Sequence, residues 1–265
     1  MLLQDKVAIV VGGGQTPGET IGNGRATAIA FAREGACVVV VDRNLDSAAD
    51  TARMISAEGG EACAVDADVT DEVSLQKMIA AALDRWARID ILHNNVGVSL
   101  TGGDALIEDI ASDAFDRVMA INLRGMVLTC KHVLPVMRRQ GGGVILNISS
   151  MAAWSSYPYV AYKTSKAGVI ALTEQLAAQN AHYGIRANVI LPGLMNTPMA
   201  IEARVAAGTP RAEVIAQRDA RVPLGKKMGT AWDVANAAVF LASDKAGFIT
   251  GVALPVDGGA NVRRG

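Results

Sequence analysis

Aromatic residues make up only 4% of this 265-residue chain, and it has just three histidines and three cysteines. No uninterrupted apolar run approaches the roughly 20 residues a membrane helix needs, which argues against a membrane protein. Charge of one sign is also missing: 25 basic and 26 acidic residues are spread along the chain for a formal net charge of -1. No basic stripe is therefore available for nucleic acid or an anionic membrane. Cys37, Cys63 and Cys130 have no metal-ligand spacing and each sits in an apolar run, so they read as small buried hydrophobes of a reducing compartment. His93, His132 and His182 lie far apart, so no metal site is expected and they read as packing or surface residues. The start "MLLQDKVAIVV" has a charge pair between two short apolar pieces and lacks the pattern of a signal peptide. The expectation is a cytoplasmic protein that acts on small molecules.

What the chain has is apolar bulk, 51% of residues, with 27 glycines. Short runs rich in Val and Ile alternate with longer segments of helical periodicity. "KVAIVV", "CVVVVD", "EACAVDAD", "IDILHNN", "GVILNIS", "IRANVILPG" and "VALPVDGG" are seven strand candidates, most followed by a helix. This order predicts an α/β fold, a doubly wound and mainly parallel seven-stranded sheet with helices on both faces, in a single domain over residues 1–265. "AFDRVMAINLRGMVLTCKHVLPVMRRQ" reads as one helical stretch. Residues 193–230, with two Thr-Pro steps and mixed charges, read as short helices joined by turns. They leave from a strand end, where open α/β sheets bind ligands, so a substrate flap is expected there.

The first strand runs into "GGGQTPGETIGNGRA" and then a helix. Glycines between strand and helix let the backbone approach a pyrophosphate, whose charge the helix N-terminus stabilises. The second strand ends in Asp42, placed to accept hydrogen bonds from an adenosine ribose and to repel a 2′-phosphate. NAD is therefore favoured over NADP, although the neighbouring Arg43 could turn outward or hold a phosphate.

In "YPYVAYKTSKAG" a tyrosine stands four residues before a lysine twice, Tyr159 with Lys163 and Tyr162 with Lys166. Positions four apart share a helix face, so either pair could bring a phenol near an ammonium. Together the glycine turn, "DADVTD", "NNVG", "INLRG", "NISS", "YKTSK", "PG" at Pro192 and Gly193, and "VDGG" resemble the short-chain dehydrogenase/reductase family from Lys6 to about Gly259. The resemblance implies a nicotinamide cofactor and a Ser, Tyr and Lys site whose serine lies thirteen residues before the tyrosine. Ser149 precedes Tyr162 by thirteen and Tyr159 by only ten. It thus implies Tyr162 as acid/base, Lys166 as its electrostatic partner and ribose contact, and Ser149 as the residue orienting the reacting oxygen. Ser150 is the neighbour that spacing disfavours, Tyr159 reads as a wall of the site or a packing residue, and Lys163 as a solvated charge. It also implies that Asn122 anchors a proton-relaying water, the simpler alternative being a helix-interior amide at a kink. Asp68 and Val69 would border the adenine, Asn94 and Gly97 would support cofactor and central strands, and Pro192 and Thr197 would flank the nicotinamide. Asp68 could instead cap the helix at "TDEV", and Asn94 could simply hold a turn.

A phenol titrates near 10, and a nearby ammonium is expected to pull that value down. The glycine turn departs from the family pattern: Val11 stands where a threonine is usual, and about six extra residues lie within "QTPGETI". Gly12, Gly22 and Gly24 are the expected cofactor glycines, rather than Gly14 or Gly18. "TPGET" reads either as a rigid bulge beside the pyrophosphate or as a neutral surface insertion. Met151, Trp154, Tyr157, Tyr159, Leu194, Met195 and Met199 would surround the substrate, which favours an apolar or aromatic ketone or secondary alcohol. The expected activity is NAD-linked interconversion of these two. The alternatives are an NADP-dependent 3-oxoacyl-thioester reductase and a catalytically silent NAD-binding regulator. The resemblance further implies a homotetramer.

Overall fold

The computed structural model describes residues 1–262. The elements run β1 (Val7–Val11), α1 (Asn23–Arg33), β2 (Cys37–Asp42), α2 (Leu45–Ala57), β3 (Ala62–Asp66), α3 (Glu72–Trp86), β4 (Ile91–Asn94), α4 (Ser112–Met119), α5 (Gly125–Gln140), β5 (Gly143–Ile148), α6 (Val160–Asn180), β6 (Ile185–Pro192), α7 (Pro198–Ala206), α8 (Arg211–Asp219), α9 (Ala231–Ala242) and β7 (Ala253–Val256). All seven expected strands form, in the order β3-β2-β1-β4-β5-β6-β7, and every pairing is parallel.

The continuous apolar runs have a simple cause. Successive side chains of a strand point to opposite faces, so a strand covered on both sides must be apolar throughout. In β1, Ala8 and Val10 join a core with α1 and α9 on one face. Ile9 and Val11 join a second core with residues of α3 and α5 on the other. β1 lies between β2 and β4, and the chain's direction of winding reverses there. The C-terminal ends of β1 and β4 therefore border the crevice in which such sheets bind ligands.

The stretch expected as one helix is divided. A π-helical turn at Ala120–Arg124 separates α4 from α5 and carries the buried Asn122. Residues 193–230 hold two short helices, α7 and α8, as the Thr-Pro steps indicated. Cys130 is buried, but Cys37 and Cys63 are only half-buried, a partial correction to the expectation for all three. Burial pushes the Cys130 thiol up to about 12. His93 is buried against the Phe31 ring, and His132 sits 2.8 Å from the Glu72 carboxylate. Among the described residues no helix is long and apolar enough to cross a membrane.

Candidate active site

The glycine turn is built by close approach. Gly12 has φ +79°, and a Cβ at Gly24 would sit 1.9 Å from the Gly12 carbonyl oxygen, which no side chain can tolerate. A Cβ at Gly22 would instead project into space, with Gln15 its nearest neighbour at 3.9 Å. The first turn of α1 has no side-chain cap, so its free N–H groups point into that opening. Gly14 packs on Asp42: its Cβ would lie 2.6 Å from Asp42 Oδ2, and its amide donates to that oxygen at 3.2 Å. Asp42 is thus turned toward the glycine turn, as a ribose-binding carboxylate needs to be.

The extra residues are anchored rather than free. A Cβ at Gly18 would meet Glu202 Oε1 at 2.6 Å and Pro198 at 2.9 Å, both on α7. Arg211 on α8 pairs with Glu19 at 3.2 Å and with Glu202 at 2.7 Å. The insertion therefore joins the glycine turn to the helices of residues 193–230. Gln15, which sequence reasoning passed over, accepts the Gly22 amide at 3.0 Å.

Asp68 does not cap α3; Asp71 does, accepting from Val73 N. Asp68 instead accepts from the amide and hydroxyl of Thr70 at 2.8 and 2.7 Å. These bonds, first that of the hydroxyl, lower its carboxyl below the usual range, and the charge of Arg43 adds to the effect. Val69 packs under Gly125, whose Cβ would meet it at 2.8 Å. Asn94 bridges strands and helices: it donates to Asn147 Oδ1 and accepts from Thr129 Oγ1, both at 2.9 Å. Its side chain is spent on the central strands. The neighbouring Asn95 reaches the turn, donating to the Gly12 carbonyl at 3.1 Å, a contact the sequence did not single out.

Tyr162 and Lys166 share one face of α6, with the Lys166 ammonium 5.8 Å from the centre of the Tyr162 ring. Lys166 is buried and donates to the Ile148 carbonyl at 2.9 Å. Gly97 makes room for it, since a Cβ there would be 3.0 Å from Nζ. Asn122 clamps the loop that carries Gly97, accepting from Val98 N and donating to Val98 O, both at 2.8 Å, and it also reaches Ser165 at 3.0 Å.

The serine expected from spacing is turned inward. Ser149 is 2% exposed and donates inward to the Lys166 carbonyl at 2.6 Å. Successive residues at a strand end face opposite ways, so Ser150 is the one whose hydroxyl acts on the Tyr162 phenol. The titration of the pair also differs from expectation. Burial pushes the phenol up to about 12, the Ser150 hydroxyl opposing that rise and the charges of Tyr157 and Asp104 adding to it. The same burial draws Lys166 down to about 7. Loss of water disfavours both phenolate and ammonium, with Tyr162 half-buried and Lys166 fully buried.

Lys163 is not a solvated charge: it donates to the carbonyls of Ala152 at 3.0 Å and Ser155 at 2.6 Å, fixing the turn before α6. Tyr159 and Tyr162 flank Tyr157, each with ring centres 5.5 Å from it. Of the expected substrate contacts, Trp154 and Met199 are exposed, whereas Met151 and Met195 are buried in core clusters. Leu194 packs on the cluster of residues 201–228. The two buried methionines pack into the core. Thr197 is buried at the start of α7 and Pro192 ends β6.

Asp104 was missed altogether. Its carboxylate accepts the amides of Ala161 and Tyr162, each at 2.9 Å, and so caps α6 where the phenol emerges. A cap supplied from 57 residues away leaves no local sequence signal.

A family model described as Enoyl-(Acyl carrier protein) reductase matches residues 19–261. A 2-(R)-hydroxypropyl-CoM dehydrogenase of Xanthobacter autotrophicus is 38% identical over 96% of this chain and 97% of its own. A crystal structure of a short-chain dehydrogenase/reductase from Burkholderia xenovorans superposes with TM-score 0.93 at 40% identity, covering 99% of both chains. A 7α-hydroxysteroid dehydrogenase complexed with NADH and 7-oxo glycochenodeoxycholic acid superposes with TM-score 0.86 at 35% identity, covering 97% of this chain and 94% of that one.

Proposed function

This chain belongs to the short-chain dehydrogenase/reductase family, and from that premise we propose that it interconverts a secondary alcohol and a ketone using a nicotinamide cofactor. The observation that carries the reading is Tyr162 on the same helix face as a buried Lys166, with Ser150 acting on the same phenol. The residues present fit the cofactor: Gly12 and Gly24 pack backbone to backbone, Gly22 leaves space, and the start of α1 is uncapped.

When bound, that cofactor supplies or takes up the hydride. In reduction Tyr162, protonated at neutral pH with its phenol near 12, donates its proton to the carbonyl oxygen; in oxidation it accepts one from the alcohol. Ser150 donates a hydrogen bond to the same oxygen and orients it. Lys166, poised near 7, gains or loses a proton at neutral pH and serves to replenish the phenol. Asn122 and Gly97 are positioning residues that hold Lys166 and its loop. Asp42 receives ribose hydroxyls, and its charge beside Gly14 favours NAD over NADP. Residues 193–230 act as the substrate flap, with Tyr159, Trp154 and Met199 toward an apolar or aromatic substrate. We also infer a homotetramer, which family resemblance alone suggests.

The test is a panel of ketones and one acetoacetyl thioester, each offered with NADH and with NADPH. Faster turnover with NADH and apolar or aromatic ketones is expected. A preference for NADPH and the thioester would favour an acyl-thioester reductase. Tight NADH binding without turnover of any ketone would overturn the enzymatic reading.

A further inference from the structure

A cavity of about 140 Å³ lies between α7 and α8, lined by Arg204, Thr209, Val214, Gln217, Arg218 and Arg221. Three guanidinium groups on one small cavity are unusual because like charges repel. Arg218 is the most constrained, with 9% of its surface exposed. Its hydrogen-bond partners are weak: the Met195 carbonyl at 3.4 Å and the Met228 sulfur at 3.2 Å. Among the described residues the ion pairs of α7 and α8 are made by Arg211, to Glu19 and Glu202, and none by these three arginines. Asp219, whose charge acts on Arg218, also accepts the Met228 amide at 2.7 Å. Burial first, then the charges of Arg204 and Arg221, draw the Arg218 guanidinium down to about 10, with Tyr157 and Asp219 opposing. A buried cation without a counter-charge is costly unless a ligand supplies one.

The cavity lies beside the segment that leaves the C-terminal end of β6, whose Met195 carbonyl Arg218 meets at 3.4 Å. The Arg204 charge acts on the Tyr157 phenol, and that phenol acts on Arg218. The Tyr157 ring in turn lies 5.5 Å from that of Tyr162. The arginines are therefore within electrostatic reach of the ring that packs on Tyr162.

We propose that this cavity binds a carboxylate on the substrate, so that the preferred ketone has an apolar body over Tyr157 and Tyr159 and an anionic end held by Arg218 and Arg204. This rests on the oxidoreductase reading and adds a charged end to the apolar substrate expected there. The guanidinium groups offer several N–H donors in a planar fork matched to a carboxylate. Thr209 and Gln217 add polar contacts at the rim.

The test uses methyl ketones with a terminal carboxylate at increasing chain lengths, each paired with its neutral methyl ester, with NADH as reductant. At the chain length that spans the site, the acid should exceed its ester in kcat/KM by roughly tenfold to a hundredfold, the worth of a charge-assisted hydrogen bond. Arg218→Gln should remove that preference, mainly by raising KM for the acid, while ester turnover and NADH affinity persist. Arg204→Gln, at a half-buried position, gives the same readout if Arg218→Gln fails to fold. Esters turned over as well as acids at every length, or a preference that survives both substitutions, would overturn the inference while leaving the dehydrogenase reading intact. Turnover of neither series would refute both.

Discussion

Replacing each of two adjacent serines by alanine separates chemistry from packing. Ser150 acts on the Tyr162 phenol, whereas Ser149 is buried and donates to the Lys166 carbonyl at 2.6 Å. If Ser150 orients the reacting oxygen, Ser150→Ala removes a hydrogen bond that strengthens as charge develops there, and kcat should fall by about 10²- to 10³-fold. The fold should hardly respond, because Ser150 is only half-buried; its bond from the Ala152 amide at 3.1 Å caps one short turn. Ser149→Ala loses one buried, neutral hydrogen bond, about 1–2 kcal/mol of stability. For a chain of this size that lowers Tm by roughly 2–8 °C. Its kcat should stay within about tenfold of the parent, since a 1.4 kcal/mol change in barrier is tenfold in rate. Steady-state ketone reduction followed by NADH absorbance, with thermal unfolding by circular dichroism, reads both effects. A Ser149→Ala enzyme that is a hundredfold slower, beside an active Ser150→Ala enzyme, would refute the assignment and restore the serine expected from spacing.

Three further outcomes follow from the same geometry. Asp104→Ala removes the cap of α6 at Ala161 and Tyr162, so stability should drop by about 1–2 kcal/mol and kcat should fall with the KM for NADH unchanged; an unaltered kcat would show that the cap does not position the phenol. Arg211→Ala frees Glu19 and Glu202, so the insertion loses its hold on α7 and α8 and KM for the ketone should rise; an unchanged KM would leave the insertion a surface feature. The Tyr162 phenol is raised to about 12, so its base form becomes available only as pH rises. Alcohol oxidation should therefore accelerate from neutral toward alkaline pH while ketone reduction does not, and an oxidation profile flat from pH 6 upward would contradict the role given to the phenol.

The sheet was legible because strands covered on both faces must be apolar at every position, as in β1 and β2. The Tyr162 and Lys166 pair was equally visible, since helical spacing alone brings them to one face. What escaped depended on contacts distant in sequence or on small rotations. Asp104 caps a helix from another loop, and Lys163 holds carbonyls eight to eleven residues back rather than facing water. Which of Ser149 and Ser150 faces the phenol depends on the twist at the end of β5, which a residue count does not fix. Arg218 gave no signal because a buried arginine in a short amphipathic helix reads like any solvated charge until its neighbours are known. The π-helical turn was hidden in an unbroken helical pattern, and the partner that Asn122 clamps there, Val98, lies 24 residues earlier.

The central claim is that Tyr162, rather than the equally spaced Tyr159, exchanges a proton with the substrate oxygen. It is tested by ketone turnover in Tyr162→Phe and Tyr159→Phe, with NADH binding measured on both. Tyr162→Phe should bind NADH normally and lose about 10²- to 10⁴-fold in turnover, the range for removing a general acid, while Tyr159→Phe should change KM at most. An active Tyr162→Phe enzyme beside an inactive Tyr159→Phe enzyme would contradict the account.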